Sequence, residues 1–300
     1  MLFRSILLTL SNTKPKCVPG AAVAALVAAL CVFTLSANAT TYSTDFNTGT
    51  DPGWTHYPGS PVSIALANTW TFPTISPGNQ GYKLTSNAGT VPNPGRVGSF
   101  YTGITTSDFF VQTDLLNWTT SFGQDMGLTA RYTSNGTATP PNAYALVLQN
   151  DQVGPGSLSA LRIAVVSAGG ISFLTGVANN LGYFDGTPGS SAPPDPRTPD
   201  TYRLQFWGQG TTLSASIIDL NTGLPMYFDN GTGAGVTDQI SITDSTYTSG
   251  NTGLFGVIRT QQGVDPTFDN FYASTVIPEP TTLTLAGLGL GALLINRRRK

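Results

Sequence analysis

The chain has 300 residues, of which only 10% are charged, with 34 glycines, 21 prolines and two cysteines, and its formal net charge is −2. Between residues 40 and 275 seven basic side chains face fifteen aspartates, a local charge of −8 that argues against nucleic acid and anionic lipid surfaces as partners. Glutamate occurs once, as Glu279, and histidine once, as His56. That removes the glutamate pair of ordinary glycoside hydrolysis and leaves little material for a His-based nucleophilic triad.

At the amino terminus Arg4, Lys14 and Lys16 precede an unbroken apolar run over 21–35. The following Ser36-Ala37-Asn38-Ala39 places small Ala37 and Ala39 where signal peptidase reads the chain. This predicts a signal peptide over 1–39, cleaved after Ala39, in preference to an uncleaved membrane helix. Cys31 fits a lipoprotein site poorly, because Leu30 before it is too bulky. Both cysteines, Cys17 and Cys31, fall in the predicted leader, so the mature chain is expected to carry no disulfide and no thiolate-held metal.

Residues 40–275 read as one all-β domain. Predicted strands occupy 41–46, 81–85, 96–101, 109–116, 126–132, 144–149, 161–167, 171–177, 202–207, 213–217, 253–258 and 268–274. The period of two is cleanest at Tyr202, Leu204 and Phe206 against Arg203, Gln205 and Trp207. Leu213, Ala215 and Ile217 alternate with Ser214 and Ser216 in the same way. Ala168-Gly169-Gly170 predicts a tight hairpin, and Asn221-Thr222-Gly223 a second one with glycine in the left-handed position. The stretch 182–200, with Pro188, Pro193, Pro194, Pro196 and Pro199, predicts a long irregular loop. His56, between Trp54 and Tyr57, reads as a surface or packed residue of a Gly/Pro-rich loop, not as a catalyst. No interior window shows amphipathic helical spacing, and many short strands with Gly/Pro turns predict an antiparallel β-sandwich.

Residues 276–295 then give twenty residues, roughly 30 Å as a helix and enough to cross a bilayer core. Gly287, Gly289 and Gly291 weaken that helix, and Arg297-Arg298-Arg299-Lys300 closes the chain. An apolar segment ending in a basic cluster predicts a membrane anchor with its charged end in the cytoplasm.

Three constellations are open to chemistry. Of the four mature tryptophans, Trp54, Trp70, Trp118 and Trp207, the last lies opposite the predicted core face of its strand. Trp207 is therefore the first candidate for stacking on the apolar face of a sugar, with Tyr183 and Phe184 beside the Pro-rich loop next. The competing reading is that these rings simply pack. Asp45 and Asp269 lie near the two ends of the domain, whose first and last strands are expected to be neighbours. Two carboxylates with backbone carbonyls could hold a structural Ca²⁺. Alternatively each accepts a hydrogen bond from a neighbouring backbone amide. Asn117-Trp118-Thr119, Asn135-Gly136-Thr137 and Asn230-Gly231-Thr232 match the N-glycosylation pattern but read as turn chemistry.

Two resemblances follow from these residues. Ile277-Pro278-Glu279-Pro280, the Leu/Ala/Gly-rich segment and the terminal arginines resemble the PEP-CTERM sorting signal of exported Gram-negative proteins. That resemblance implies recognition of Pro278, Glu279 and Pro280 by an exosortase, with Arg297, Arg298 and Arg299 as the basic end. It makes 276–300 a substrate for another enzyme. The succession Asp45-Phe46, Trp70-Thr71-Phe72, Gly81-Tyr82-Lys83-Leu84, Asp108-Phe109-Phe110-Val111, Tyr202-Arg203-Leu204 and Phe268-Asp269-Asn270-Phe271 resembles concanavalin A-like, laminin-G-like jelly rolls. This implies two antiparallel sheets often used in carbohydrate-binding modules. Catalytic members with a Glu-x-Asp-x-x-Glu strand are not matched. The sequence thus points to a non-enzymatic exported protein, sorted to the cell surface or extracellular matrix and binding polysaccharide there, with no cofactor beyond a possible Ca²⁺. A polysaccharide hydrolase or lyase using Asp, Tyr and Arg groups, and a purely structural matrix component, stay open.

Overall fold

Short runs of β-branched and aromatic residues, cut by glycine and proline, build twenty β-strands in a computed structural model. It describes residues 39–57, 68–86, 96–119, 123–133, 142–150, 159–167, 170–174, 201–226, 228–229, 236–258 and 263–278. Among these residues every helix or strand is a strand, and no helix is long and apolar enough to cross a membrane.

The first sheet has the order β15 (Leu224–Pro225), β14 (Thr212–Asp219), β13 (Tyr202–Gln209), β8 (Phe109–Asn117), β20 (Thr267–Ser274), β6 (Tyr82–Thr85) and β3 (Thr69–Thr71). β18 (Ile240–Thr243) also pairs with β14, and β1 (Thr41–Thr44) with β20. The second sheet runs β12 (Gly170–Phe173), β11 (Ser159–Ser167), β10 (Asn142–Asn150), β9 (Gln124–Thr133), β19 (Gly250–Ile258), β7 (Arg96–Thr106) and β2 (Trp54–Tyr57). Two small ribbons pair β4 (Thr74–Ser76) with β5 (Asn79–Gln80) and β16 (Phe228–Asp229) with β17 (Val236–Thr237). Every pairing within both sheets is antiparallel, as the sequence predicts.

The sheets face one another across a single core. Val111, Leu115, Leu204, Phe206, Phe268 and Phe271 descend from the first sheet, and Met126, Leu128, Leu146, Leu161, Ile163 and Leu254 rise from the second, all fully buried. Each such side chain contributes about 1.5–3 kcal/mol of burial. At one end of the sandwich Arg131 turns inward with φ 50° and is itself buried. It donates to the carbonyls of Ser107 (2.9 Å), Gly210 (2.6 Å) and Tyr247 (2.9 Å), so one side chain pins three turns.

Some expectations need correction. The strand predicted over 41–46 stops at Thr44. Phe46 takes φ 54°, its N–H bonded to Thr44 Oγ1 (3.1 Å), which swings its ring into the core against Tyr82 (4.6 Å, 15°). His56 is not in a loop but on edge strand β2, opposite Ser99 of β7. That strand, β3 and β18 have only three or four residues each, which hides them from a pattern reading. Gly223 has the predicted left-handed backbone (φ 72°). Residues 175–177 of a predicted strand, the 182–200 loop, residues 1–38 and residues 279–300 lie outside the described residues.

Candidate functional site

Because Leu204 and Phe206 point into the core, pleating sends Arg203, Gln205 and Trp207 to the outer face of the first sheet. The cross-strand register then lays side chains in rows. Tyr272 of β20, Gln112 of β8, Gln205 of β13 and Ser216 of β14 are opposite one another. So are Phe110, Trp207, Ser214 and Ser241 on β8, β13, β14 and β18. Six residues of these rows, Tyr272, Gln112, Gln205, Phe110, Trp207 and Ser214, line a groove of about 770 Å³ together with Gln209, Thr212, Gln239, Ile277 and Pro278.

Three rings form the apolar part. Trp207 lies 6.5 Å from Phe110, and Phe110 lies 6.1 Å edge-on from Tyr272. Phe110 is nearly covered, whereas Trp207 and Tyr272 are half-buried. The polar part is a relay. Ser216 Oγ donates to Gln205 Oε1 (3.0 Å), and Gln205 Nε2 donates to Gln112 Oε1 (3.3 Å). On the other side Gln239 Nε2 donates to Ser241 Oγ (2.9 Å), which meets Ser214 Oγ at 2.8 Å. None of the described residues lining the groove is ionisable at neutral pH. Aromatic surface beside fixed amides and hydroxyls is suited to a ligand with both apolar faces and many hydroxyl groups.

The next row along the same face is charged but closed on itself. Arg203 grips Asp114 through Nε (2.7 Å) and Nη2 (2.9 Å), and Asn270 Nδ2 donates to the same carboxylate (2.9 Å). The Asp114 hydrogen bonds outweigh partial burial and hold the Arg203 guanidinium above its usual pKa.

The other tryptophans pack. Trp54 Nε1 donates to Tyr42 (3.1 Å), Trp70 Nε1 to the Gly98 carbonyl (3.2 Å), and Trp118 lies 6.1 Å from Tyr202. Tyr183 and Phe184 lie outside the described residues, as do Ala37, Glu279, Pro280, Arg297, Arg298 and Arg299. Ala39 is exposed, and Pro278 stands at the groove.

Asp45 follows β1, which pairs with β20, and is near enough to Asp269 to act on its carboxyl. Both also make the backbone contact of the competing reading: Asp45 Oδ1 accepts from Asn47 N (3.1 Å) and Asp269 Oδ1 from Asn270 N (2.7 Å). Their environments differ. The Asn47 hydrogen bonds hold the exposed Asp45 carboxyl below its usual pKa. Burial, reinforced by Asp114 and Asp45, pushes Asp269 up against the hydrogen bonds of Asn270 and Asn79. Among the described residues no three His, Cys, Asp or Glu side chains gather as a metal-binding group.

The one histidine belongs to a different cluster. Asp51 Oδ2 meets His56 Nε2 (2.6 Å) and accepts from Tyr82 Oη (2.6 Å), which lies 3.1 Å from His56 Nε2 and 2.7 Å from Ser99 Oγ. Trp70 stacks on the imidazole at 4.4 Å. Ser99 is fully buried and meets Tyr82, a β6 residue, so the cluster joins the two sheets. Burial and the Asp51 carboxylate push the Tyr82 phenol far above its ordinary pKa and keep it protonated.

Reasoning from sequence placed Trp207 on the outer face of its strand, as the structure does, but did not single out Phe110, Tyr272 or the glutamines beside it. The alternation that exposed Gln205 also exposes Gln112 between Val111 and Thr113. The partnership of β8 with β20 and β13 is not written in any local pattern.

No curated protein sequence matches this chain. Among solved structures, the CBM2 module of Lactobacillus casei BL23 phage J-1 evolved Dit is similar, with a TM-score of 0.46 at 14% identity over 81% of this chain and 98% of that one. Lectin UEA-II complexed with galactose gives 0.46 at 8% identity, covering 79% of this chain and 99% of the lectin. Cellulose induced protein Cip1 gives 0.47 at 14% identity, covering 78% and 97%. Residues 276–300 match the PEP-CTERM protein-sorting motif, which marks an exported protein anchored at the membrane before processing.

Proposed function

We propose that residues 40–275 form a non-catalytic polysaccharide-binding module, presented at the cell surface or in the extracellular matrix once an exosortase has processed the 276–300 tail. The observation that carries this reading is the groove on the first sheet, where Trp207, Phe110 and Tyr272 stand beside Gln112, Gln205 and Gln239. Rings offer stacking surface and amides fix orientation, which is the division of labour of a small-molecule or glycan site. Among the described residues the lining holds no carboxylate, imidazole or cation, which supports binding without turnover. We also propose that Asp45 and Asp269 take a structural Ca²⁺, a hard cation suited to carboxylate and carbonyl oxygens.

The test is affinity electrophoresis of the full chain, purified in detergent, through gels containing soluble polysaccharides. Retardation that Trp207→Ala abolishes while the melting temperature stays within a few degrees supports the reading. Absence of retardation by every polymer sinks it. Release of reducing ends or unsaturated sugars would favour a polysaccharide-active enzyme instead.

A further inference from the structure

We infer that the chain recognised by this groove is an uncharged glycan, not one bearing uronates or sulfates. The inference rests on the polysaccharide-binding reading above and narrows its ligand. A carboxylate or sulfate on a sugar is ordinarily held by an arginine fork or a lysine ammonium. Among the described residues the groove lining holds neither. The guanidinium on this face, Arg203, is committed through two nitrogens to Asp114, which is 3% exposed. Diverting Arg203 to a ligand would strand a buried carboxylate, an exchange with no net gain.

Other described cations are equally engaged or elsewhere. Arg131 is spent on three carbonyls, and Lys83 reaches Asp265 at 3.3 Å. Arg96 and Arg162 stand on β7 and β11 of the opposite sheet. At longer range the net charge of −8 over residues 40–275 repels a polyanion before it reaches the face.

What the groove does offer matches hydroxyl groups. The relay from Ser216 through Gln205 to Gln112 uses both amide oxygens and leaves the Gln112 amide nitrogen as the donor at its end. Across the groove, Gln239 spends its nitrogen on Ser241 and keeps its carbonyl oxygen as an acceptor. A sugar hydroxyl donates and accepts at once, so it satisfies both ends without any charge.

The experiment compares gels containing neutral hydroxyethylcellulose or galactomannan with gels containing alginate or polygalacturonate, run with about 20 and about 200 mM NaCl to expose screened attraction. We expect retardation by at least one neutral polymer, insensitive to salt. Trp207→Ala should weaken it roughly tenfold or more, as loss of a central aromatic anchor does. Trp207→Phe should restore part of it, which separates a lost stacking face from a damaged fold. Gln209→Lys, at the exposed edge of the groove, should add salt-sensitive retardation by alginate. Stronger retention of the unmodified chain by alginate or polygalacturonate, falling with salt, would overturn the uncharged-ligand inference while sparing the polysaccharide-binding reading. Retention by no polymer would overturn both.

Discussion

On the outer face of the second sheet Ala143, Ala145, Val147, Ala164, Val166, Phe255 and Val257 are all buried, and Phe100 stacks on Tyr132 at 3.7 Å. On the outer face of the first sheet the corresponding positions carry Gln112, Gln205, Ser214, Ser216 and Trp207. Both sheets share one core, so the contrast lies wholly in the residues that pleating turns away from it. Strands of the second kind read as unbroken apolar runs, as in Ala143 to Leu148, because both faces leave water. Strands of the first kind alternate, as in Tyr202 to Trp207, because only one does. Packing dictates the residues of the second sheet's outer face. The first sheet's outer face is free of that demand and carries aromatic rings, amides and hydroxyls instead.

The contrast breaks most visibly with a charge. Val147→Asp puts an unpaired carboxylate at a fully buried position and is expected to cost about 4 kcal/mol. Thr243→Asp, exposed on β18, should stay within about 0.5 kcal/mol of the parent. Urea midpoints at constant m value decide the matter, and equal losses would erase the distinction. Ring truncation is the next probe. Phe255→Ala is expected to lose about 3 kcal/mol or more and to leave glycan retention of the folded fraction unchanged. Trp207→Ala should lose only about 1 kcal/mol of stability and most of the retention.

Glycines sharpen the same comparison at smaller amplitude. A β-carbon on Gly253 would stand 2.4 Å from the Ser99 carbonyl oxygen and 2.8 Å from the Phe100 ring, which stacks on Tyr132. Gly253→Ala is therefore expected to cost about 2 kcal/mol. Gly210, in the turn between β13 and β14, has φ 55° and nothing within 4 Å of its missing β-carbon. Gly210→Ala should cost about 1 kcal/mol of backbone strain alone. Thermal melts of the two variants separate close approach from conformational strain.

The sandwich and most of its strands were legible because their physics is local: alternation at Tyr202–Trp207, glycine at position 223, a run of small and branched residues at Ala143–Leu148. Trp207 was legible for the same reason. Its neighbours Phe110 and Tyr272 were not, because a sequence gives the face of a strand but not which strands lie beside it. The 156 residues between Thr113 and Asp269, which a single hydrogen bond spans, show the distance involved. His56 was misplaced because an edge strand of four residues, Trp54–Tyr57, is too short for a pattern. The juxtaposition of Asp45 with Asp269 was reachable only through the assumption that the first and last strands pair, as β1 and β20 do.

That juxtaposition supplies the smallest effect and the most discriminating one, since it puts a buried carboxylate on the face otherwise described as polar and open. Asp269 is 3% exposed, and its carboxyl is pushed above the usual value by burial and by Asp114 and Asp45. A carboxyl whose folded pKa is raised stabilises the fold fully below the unfolded value of about 4, and that contribution is lost as pH rises through the folded value. At neutral pH the ionised group is therefore a penalty, and Asp269→Asn removes it while keeping an oxygen for the Asn270 N–H. Without divalent ions, Asp269→Asn is expected to melt about 2–4 °C higher at pH 7, with the gap closing as pH falls toward about 4. A lower melting temperature in EDTA would defeat this electrostatic account. The proposed Ca²⁺ would reverse the sign, because a cation between Asp45 and Asp269 would turn the penalty into a ligand set. The unmodified chain should then melt higher in Ca²⁺ than in EDTA and Asp269→Asn should not respond, whereas no shift in either protein would dismiss the ion and leave the carboxylate as strain.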